Sequence, residues 1–211
     1  MRKTTFTLII LVTCFGMAYA QTKSVEYGNN PKAGHYAAIN GINLYYETYG
    51  KGKPLIMLHG NGGSIDAFKY QIPFFEKYYN VIAIDSRMQG KSGGQSDTLS
   101  YDMMAADFAG LLDYLKIDSA NVLGWSDGGI DGLILAMKFP KKVSKLAISG
   151  ANIVPDSTAM YPADLEQMKR TVLTSTSEKD RTLNRMMIYQ PQIPYSDLRK
   201  ILCPVLVMAG D

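Results

Sequence analysis

The sequence predicts an α/β protein: a mostly parallel, twisted sheet with helices on both faces, an N-terminal β-hairpin, and a small helical cap inserted before the last strand. Three observations predict it. Short apolar runs at residues 55–58, 79–84 and 120–123 alternate with segments of helical periodicity, as strands covered on both faces and joined by crossover helices do. Asn40-Gly41 joins two β-rich runs, the strongest short hairpin signal. Polar loops follow residues 58, 84 and 123, and ligands of such sheets bind at the carboxyl ends of the strands.

Taken in order, residues 21–34 read as a loose polar arm, and residues 36–39 and 42–49 as the hairpin strands. Lys51-Gly52-Lys53-Pro54 is a turn. The strand at 55–58 runs into His59-Gly60-Asn61-Gly62-Gly63. Ser64 is placed to cap a helix carrying Phe68, Ile72, Phe74 and Phe75, which Pro73 kinks or ends. The strand at 79–84 stops at the polar loop Asp85-Ser86-Arg87-Met88-Gln89-Gly90-Lys91-Ser92. Residues 101–115 are helical, with Met104, Phe108, Leu111, Leu112 and Leu115 recurring at three and four. The strand at 120–123 leads through Gly124-Trp125-Ser126-Asp127-Gly128-Gly129 into a helix at 130–139, stopped by Pro140, and residues 143–149 form the next strand. Residues 151–200 break the alternation as a cap of short amphipathic helices at 161–173, 177–189 and 195–201. Met160, Met168, Met186 and Met187 would supply an adaptable apolar wall or pack the cap onto the domain. Residues 204–208 are the last strand; if the 211-residue chain exists as such, that strand would be an unprotected, aggregation-prone edge.

The chain has 211 residues, 46% hydrophobic and 19% charged, the make-up of one globular domain. Residues 1–20 read as a signal peptide: Arg2 and Lys3, an apolar stretch, then Ala18-Tyr19-Ala20 as the cleavage sequence. The mature domain would be residues 21–211, exported to a periplasmic or extracellular location. Losing Arg2 and Lys3 takes the formal charge from +3 to +1, so neither nucleic acid nor, once the signal is gone, a membrane is an expected partner. Cys14 leaves with the signal and Cys203 then stands alone, expected as a buried structural thiol without a disulfide. No Cys/His cluster has metal-ligand spacing, and no cofactor is called for.

Gly124 to Gly128 spell G-x-S-x-G between a strand and a helix. In that setting the chain turns so sharply that the serine is strained and its Oγ stands above the sheet edge. The new helix aims its N-terminus at the same point, which favours developing negative charge. Ser126 is therefore the candidate nucleophile. The backbone N–H of Asp127 is one candidate oxyanion donor and the N–H of Asn61 the other. The Asp127 carboxylate has two readings: it faces the pocket and selects amine-bearing substrates, or it caps the helix.

These segments, with Pro204-Val205-Leu206-Val207-Met208-Ala209-Gly210-Asp211, resemble the α/β-hydrolase fold superfamily. Gly-Trp-Ser-Asp-Gly-Gly is similar to the elbow of its biphenyl hydrolase-like and valacyclovir hydrolase branch. The resemblance implies an acyl-enzyme on Ser126 formed from an ester, amide or related bond of a small, partly apolar substrate. It also implies a mostly structural loop at Asp85 and Arg87, in which Met88 replaces a more usual glycine. The family order is Ser, acid, His, but both histidines, His35 and His59, precede Ser126. His59 matches a structural histidine, and His35 lies in the arm. Asp211 is a weak candidate for the acid and Asp156 a weaker one. The sequence is accordingly expected to be incomplete at its C-terminus. The alternatives are a catalytically inactive binding protein on the same fold, or a carbon–carbon hydrolase or peptidase. A dehalogenase is disfavoured, because that chemistry needs a carboxylate where Ser126 stands.

Overall fold

The structure, a computed structural model, describes residues 25–94 and 98–209. The expected signal peptide, its Ala18-Tyr19-Ala20 sequence, Cys14 and Asp211 lie outside the described residues. The strands are β1 Gly34–Ile39, β2 Ile42–Gly50, β3 Lys53–Leu58, β4 Tyr79–Ile84, β5 Ala120–Trp125, β6 Val143–Ser149 and β7 Val205–Met208. Among the described residues the α-helices are α1 Ile72–Phe75, α2 Tyr101–Tyr114, α3 Asp127–Lys138, α4 Pro162–Thr174, α5 Glu178–Tyr189 and α6 Tyr195–Leu198. The strands form one sheet in the order β1-β2-β4-β3-β5-β6-β7. β2 pairs antiparallel with β1 and β4, and the remaining pairs are parallel. The hairpin closes on Ile39 opposite Ile42, with Asn40 and Gly41 at φ 45° and 79°. A tight primed turn needs both residues in that left-handed region.

The alternation of side chains along each strand sorts the core into two clusters. Ile56, Leu58, Ile82, Ile84, Val122 and Ile148 face α2 and α3, where they meet Met104, Phe108, Leu111 and Ile134. Leu55, Met57, Val81, Ala83 and Leu123 point the other way, onto Phe68 of a 3-10 turn at Ile65–Phe68 and onto Ile72 of α1. Each such side chain contributes about 1.5–3 kcal/mol by leaving water. Packing therefore decides where α2 and α3 lie. The second face is covered only in part. Towards β6 and β7 it opens as a groove of about 700 Å³ lined by Leu55, Phe75, Leu123, Ala147 and Leu206. All four residues of β7 are exposed.

Three local readings are corrected. The segment after Ser64 is two short pieces rather than one helix. Ser64 sits at the N-cap of the 3-10 turn without a side-chain capping bond. Pro73 begins α1 instead of ending a helix, because the first turn does not use the N–H that proline lacks. α3 starts at Asp127, three residues before the predicted start, in spite of two poorly helix-forming glycines. Cys203 is part-buried against the core rather than fully enclosed.

The cap consists of α4, α5 and α6, between β6 and β7. α5 anchors it: Leu183 and Met186 join the main core, whereas α4 buries no residue. The Ile193 N–H donates to the Ile153 carbonyl at 2.9 Å, tying the segment that leaves the cap to the one that enters it.

Candidate active site

β5 delivers the chain to Ser126 at φ 53°, ψ −121°, a region that costs a non-glycine residue about 1–3 kcal/mol. The surroundings impose it. The Ser126 N–H donates to the Ser149 carbonyl at 2.7 Å, and the Ser126 carbonyl accepts from Gly129 and Ile130 at 2.8 and 3.2 Å. The turn is too tight for side chains on either flank. A Cβ on Gly124 would stand 2.2 Å from the Gly128 carbonyl oxygen, and one on Gly128 would stand 1.9 Å from that of Leu58. α3 begins at the next residue, so its N-terminal dipole points at the turn.

The loop after β3 lies against this turn; a Cβ on Gly60 would be 3.1 Å from that of Ser126. His59 is buried, and its Nε2 accepts from the Ser86 N–H at 3.0 Å. Nδ1 therefore carries the proton and donates to the Gly60 carbonyl at 2.8 Å. The Gly63 N–H reaches the same oxygen at 3.1 Å. In a trans peptide the C=O and N–H point oppositely, so holding the Gly60 carbonyl inward turns the Asn61 N–H outward. Burial lowers the His59 pKa to about 4, so the ring is neutral at physiological pH. With both nitrogens engaged it is a brace and cannot take a proton from Ser126. His35 belongs to β1 rather than to the arm. It is exposed, stacked on Tyr46 with centroids 5.3 Å apart, on the edge strand remote from β5.

Gly60, Asn61, Trp125 and Ser126 line one side of a cleft of about 350 Å³. The cap supplies the other: Asp164, Gln167 and Met168 from α4, Asn184 and Met187 from α5. Asn61 Nδ2 donates to Met187 Sδ at 2.7 Å, so cap and loop touch. Two of the four singled-out methionines thus border the cleft, while Met186 fills the core. The cap wall is more polar than expected. The larger groove on the open sheet face includes neither Ser126 nor Asn61. Among the described residues no group of His, Cys, Asp or Glu is arranged to hold a metal ion, and no helix is long and apolar enough to cross a membrane.

The Asp127 carboxylate follows neither of its two readings. It is buried, lies against Tyr101 of α2 and does not line the cleft, and the N-cap position is Ser126. Burial raises its pKa to about 6, opposed by a hydrogen bond from Tyr101. One turn along α3, both carboxylate oxygens of Asp131 are buried without a hydrogen-bond partner among the described residues. Burial first, then the neighbouring Asp127 and Asp107, hold that carboxyl well above its ordinary range. Asp156 is exposed and accepts from the N–H and hydroxyl of Thr158, away from the cleft.

The loop after β4 is structural in its contacts. Asp85 accepts from the Ile65 and Lys91 N–H groups at 2.8 and 2.7 Å. Arg87 forms a bidentate pair with Asp107 of α2, both contacts 2.7 Å. Met88 adopts φ 63°, so the loop keeps the tight course that a glycine would allow. Sequence reasoning missed Gln89, Tyr101, Asp107 and Asp131. Asp107 and Asp131 did carry a signal, as acids on otherwise apolar helical stripes; Gln89 carried none.

The α/β-hydrolase fold profile matches residues 53–182. A putative carbamate hydrolase, RutD, of Azorhizobium caulinodans is 31% identical over 74% of this chain and 58% of its own length. Serine hydrolase BPHL of Homo sapiens is 36% identical over 58% of this chain and 45% of its own. The chain thus spans about half the length of these relatives. Among solved structures, a thermophilic esterase from Thermogutta terrifontis superposes with a TM-score of 0.68 at 21% identity, covering 84% of this chain and 79% of that one. An enol-lactonase from Burkholderia xenovorans LB400 gives 0.65 at 22%, covering 83% and 81%. At such identities these two speak for the fold alone.

Proposed function

Since the chain belongs to the α/β-hydrolase fold family through residues 53–182, we propose that it is a serine hydrolase. It would cleave an ester, amide or related bond of a small molecule through an acyl-enzyme on Ser126. The observation that carries this reading is the strained backbone of Ser126 at the floor of a cleft. That strain is over-determined by the surroundings, as it is where a side chain must be held out to react. Asn61 and Asp127 would donate their N–H groups to the oxyanion. Each such donor is worth about 10²–10³ in rate. A cleft of about 350 Å³ lies at the small end of the ligand-site range, about 300–1,000 Å³, which supports a small substrate. The relatives named as a carbamate hydrolase and a serine hydrolase support the class. Export after cleavage at Ala20-Gln21 is part of the same proposal.

A binding protein on this fold is the second reading. It is favoured by His59, whose two ring nitrogens are both engaged, and by the distance of His35 along the sheet. Intact mass after treatment with a fluorophosphonate decides between the two. One adduct on Ser126, absent from Ser126→Ala, is the expected result for a hydrolase. No adduct on the wild type, with the protein folded, would shift the assignment to binding.

A further inference from the structure

We propose that Gln89 is a positioning residue for the oxyanion loop: through Gly62 it holds the peptide that follows Asn61. The inference rests on the reading of Asn61 as an oxyanion donor. Side-chain hydrogen bonds join the loop after β3 to the loop after β4. Asp85 Oδ1 takes the Ile65 N–H at 2.8 Å, and His59 Nε2 takes the Ser86 N–H at 3.0 Å. These two act at the ends of the 59–65 segment. At its apex, beside Asn61, Gln89 Oε1 accepts the Gly62 N–H at 2.6 Å.

The Gly63 N–H on the Gly60 carbonyl and Asn61 Nδ2 on Met187 Sδ also hold this turn, but neither engages the Gly62 N–H. Gly62 is left-handed at φ 69°, and a Cβ built there would meet nothing within 4 Å. Nothing packs where a side chain would stand, and it is the bond to Gln89 that engages the Gly62 N–H. Gln89 can serve because it is itself fixed. It is 2% exposed. Its N–H donates to the Ser86 carbonyl at 2.9 Å, and its carbonyl accepts from Ser92 at 3.0 Å. Asp85 grips the same turn at Lys91. The brace at His59 aims the Asn61 N–H from one side, and Gln89 stops the loop from pivoting on the other.

A donor that drifts loses transition-state stabilisation, while ground-state binding changes little. The test compares wild type with Gln89→Leu, which removes the acceptor at similar volume, and Gln89→Glu, which keeps an oxygen there. Hydrogen exchange is followed at the Gly62 amide by NMR, and hydrolysis of a neutral acetate ester is measured beside it. In Gln89→Leu, Gly62 should exchange at least ~10-fold faster and kcat should fall by about 10-fold, with KM nearly constant, since a displacement near 1 Å costs up to about 10². Gln89→Glu should recover most of both. Unchanged exchange at Gly62 would overturn the proposal, as would faster exchange with unaltered kcat, or a loss confined to KM. If the wild type shows no turnover, that result bears on the hydrolase reading and not on Gln89, and exchange at Gly62 in the three proteins still decides whether Gln89 holds the loop.

Discussion

Replacing Arg87 by Met tests what binds the site loop to the rest of the domain. The guanidinium meets Asp107 through Nε and Nη2, each at 2.7 Å, with the two side chains 7% and 0% exposed. It also donates to the Asn40 carbonyl at 3.3 Å, while Asn40 Nδ2 reaches Asp107 at 3.0 Å. One pair thus joins the hairpin turn, the loop after β4 and α2. Without Arg87, Asp107 keeps, among the described residues, only the Asn40 amide, as a buried and nearly uncompensated carboxylate. Removing one partner of a buried pair costs about 3–5 kcal/mol, from a total of about 5–15 kcal/mol for a domain. At about 2–4 °C per kcal/mol for a chain of this size, the melting midpoint should fall by roughly 6–20 °C. Far-UV circular dichroism melts and urea titrations measure it. Adding Asp107→Leu should restore most of the loss, because the stranded charge is gone. A single variant within about 1 kcal/mol of wild type, or a double variant no better than the single, would refute the reasoning.

Asp131→Asn should stabilise the protein increasingly as pH rises. The folded-state pKa of Asp131 is raised, so its contribution is complete below the unfolded value of about 4 and is lost as pH climbs through the folded one. Asp127, at about 6, acts in the same direction. A gain in urea midpoint that does not grow between acid and neutral pH would contradict this assignment. Ser126→Gly should abolish probe labelling yet raise stability by about 1 kcal/mol, since relief of about 1–3 kcal/mol of strain exceeds the entropy cost of glycine; urea unfolding reads it. Met88→Gly should instead destabilise by about 1–2 kcal/mol, although it too removes a left-handed side chain. Met88 is buried in the main cluster, and that burial, about 1.5–3 kcal/mol, with about 0.5–1 kcal/mol of glycine entropy, outweighs roughly 1–2 kcal/mol of strain. A more stable Met88→Gly would reverse that ranking.

The short apolar runs placed β3, β4 and β5 in the sequence because central strands of a sheet leave a short apolar signal, even though one face of β5 is covered only in part. Asn40-Gly41 did the same for the hairpin, since few other pairs accept two left-handed residues. The elbow was legible for a comparable reason: Gly124 and Gly128 stand where no Cβ fits. Long-range pairings were not legible. Nothing local in Arg87 points to Asp107, and nothing in Gln89 points to Gly62. The direction of the Asp127 side chain depends on where α2 packs, which no window of sequence around Ser126 contains. Pro73 misled because a proline is compatible with either end of a helix until the neighbouring turns are known.

Trp125, the single tryptophan of the chain, ends β5 beside Ser126 and is 50% exposed on the cleft wall. The protein therefore carries one indole, and it stands at the site. Its emission should be that of a hydrated ring, and should shift when a ligand excludes water from the cleft, whether or not any bond is cleaved. The same placement makes it a poor witness to global unfolding, because it begins half in water. Occupancy can thus be followed optically without a label, while the state of the core must be read by another signal.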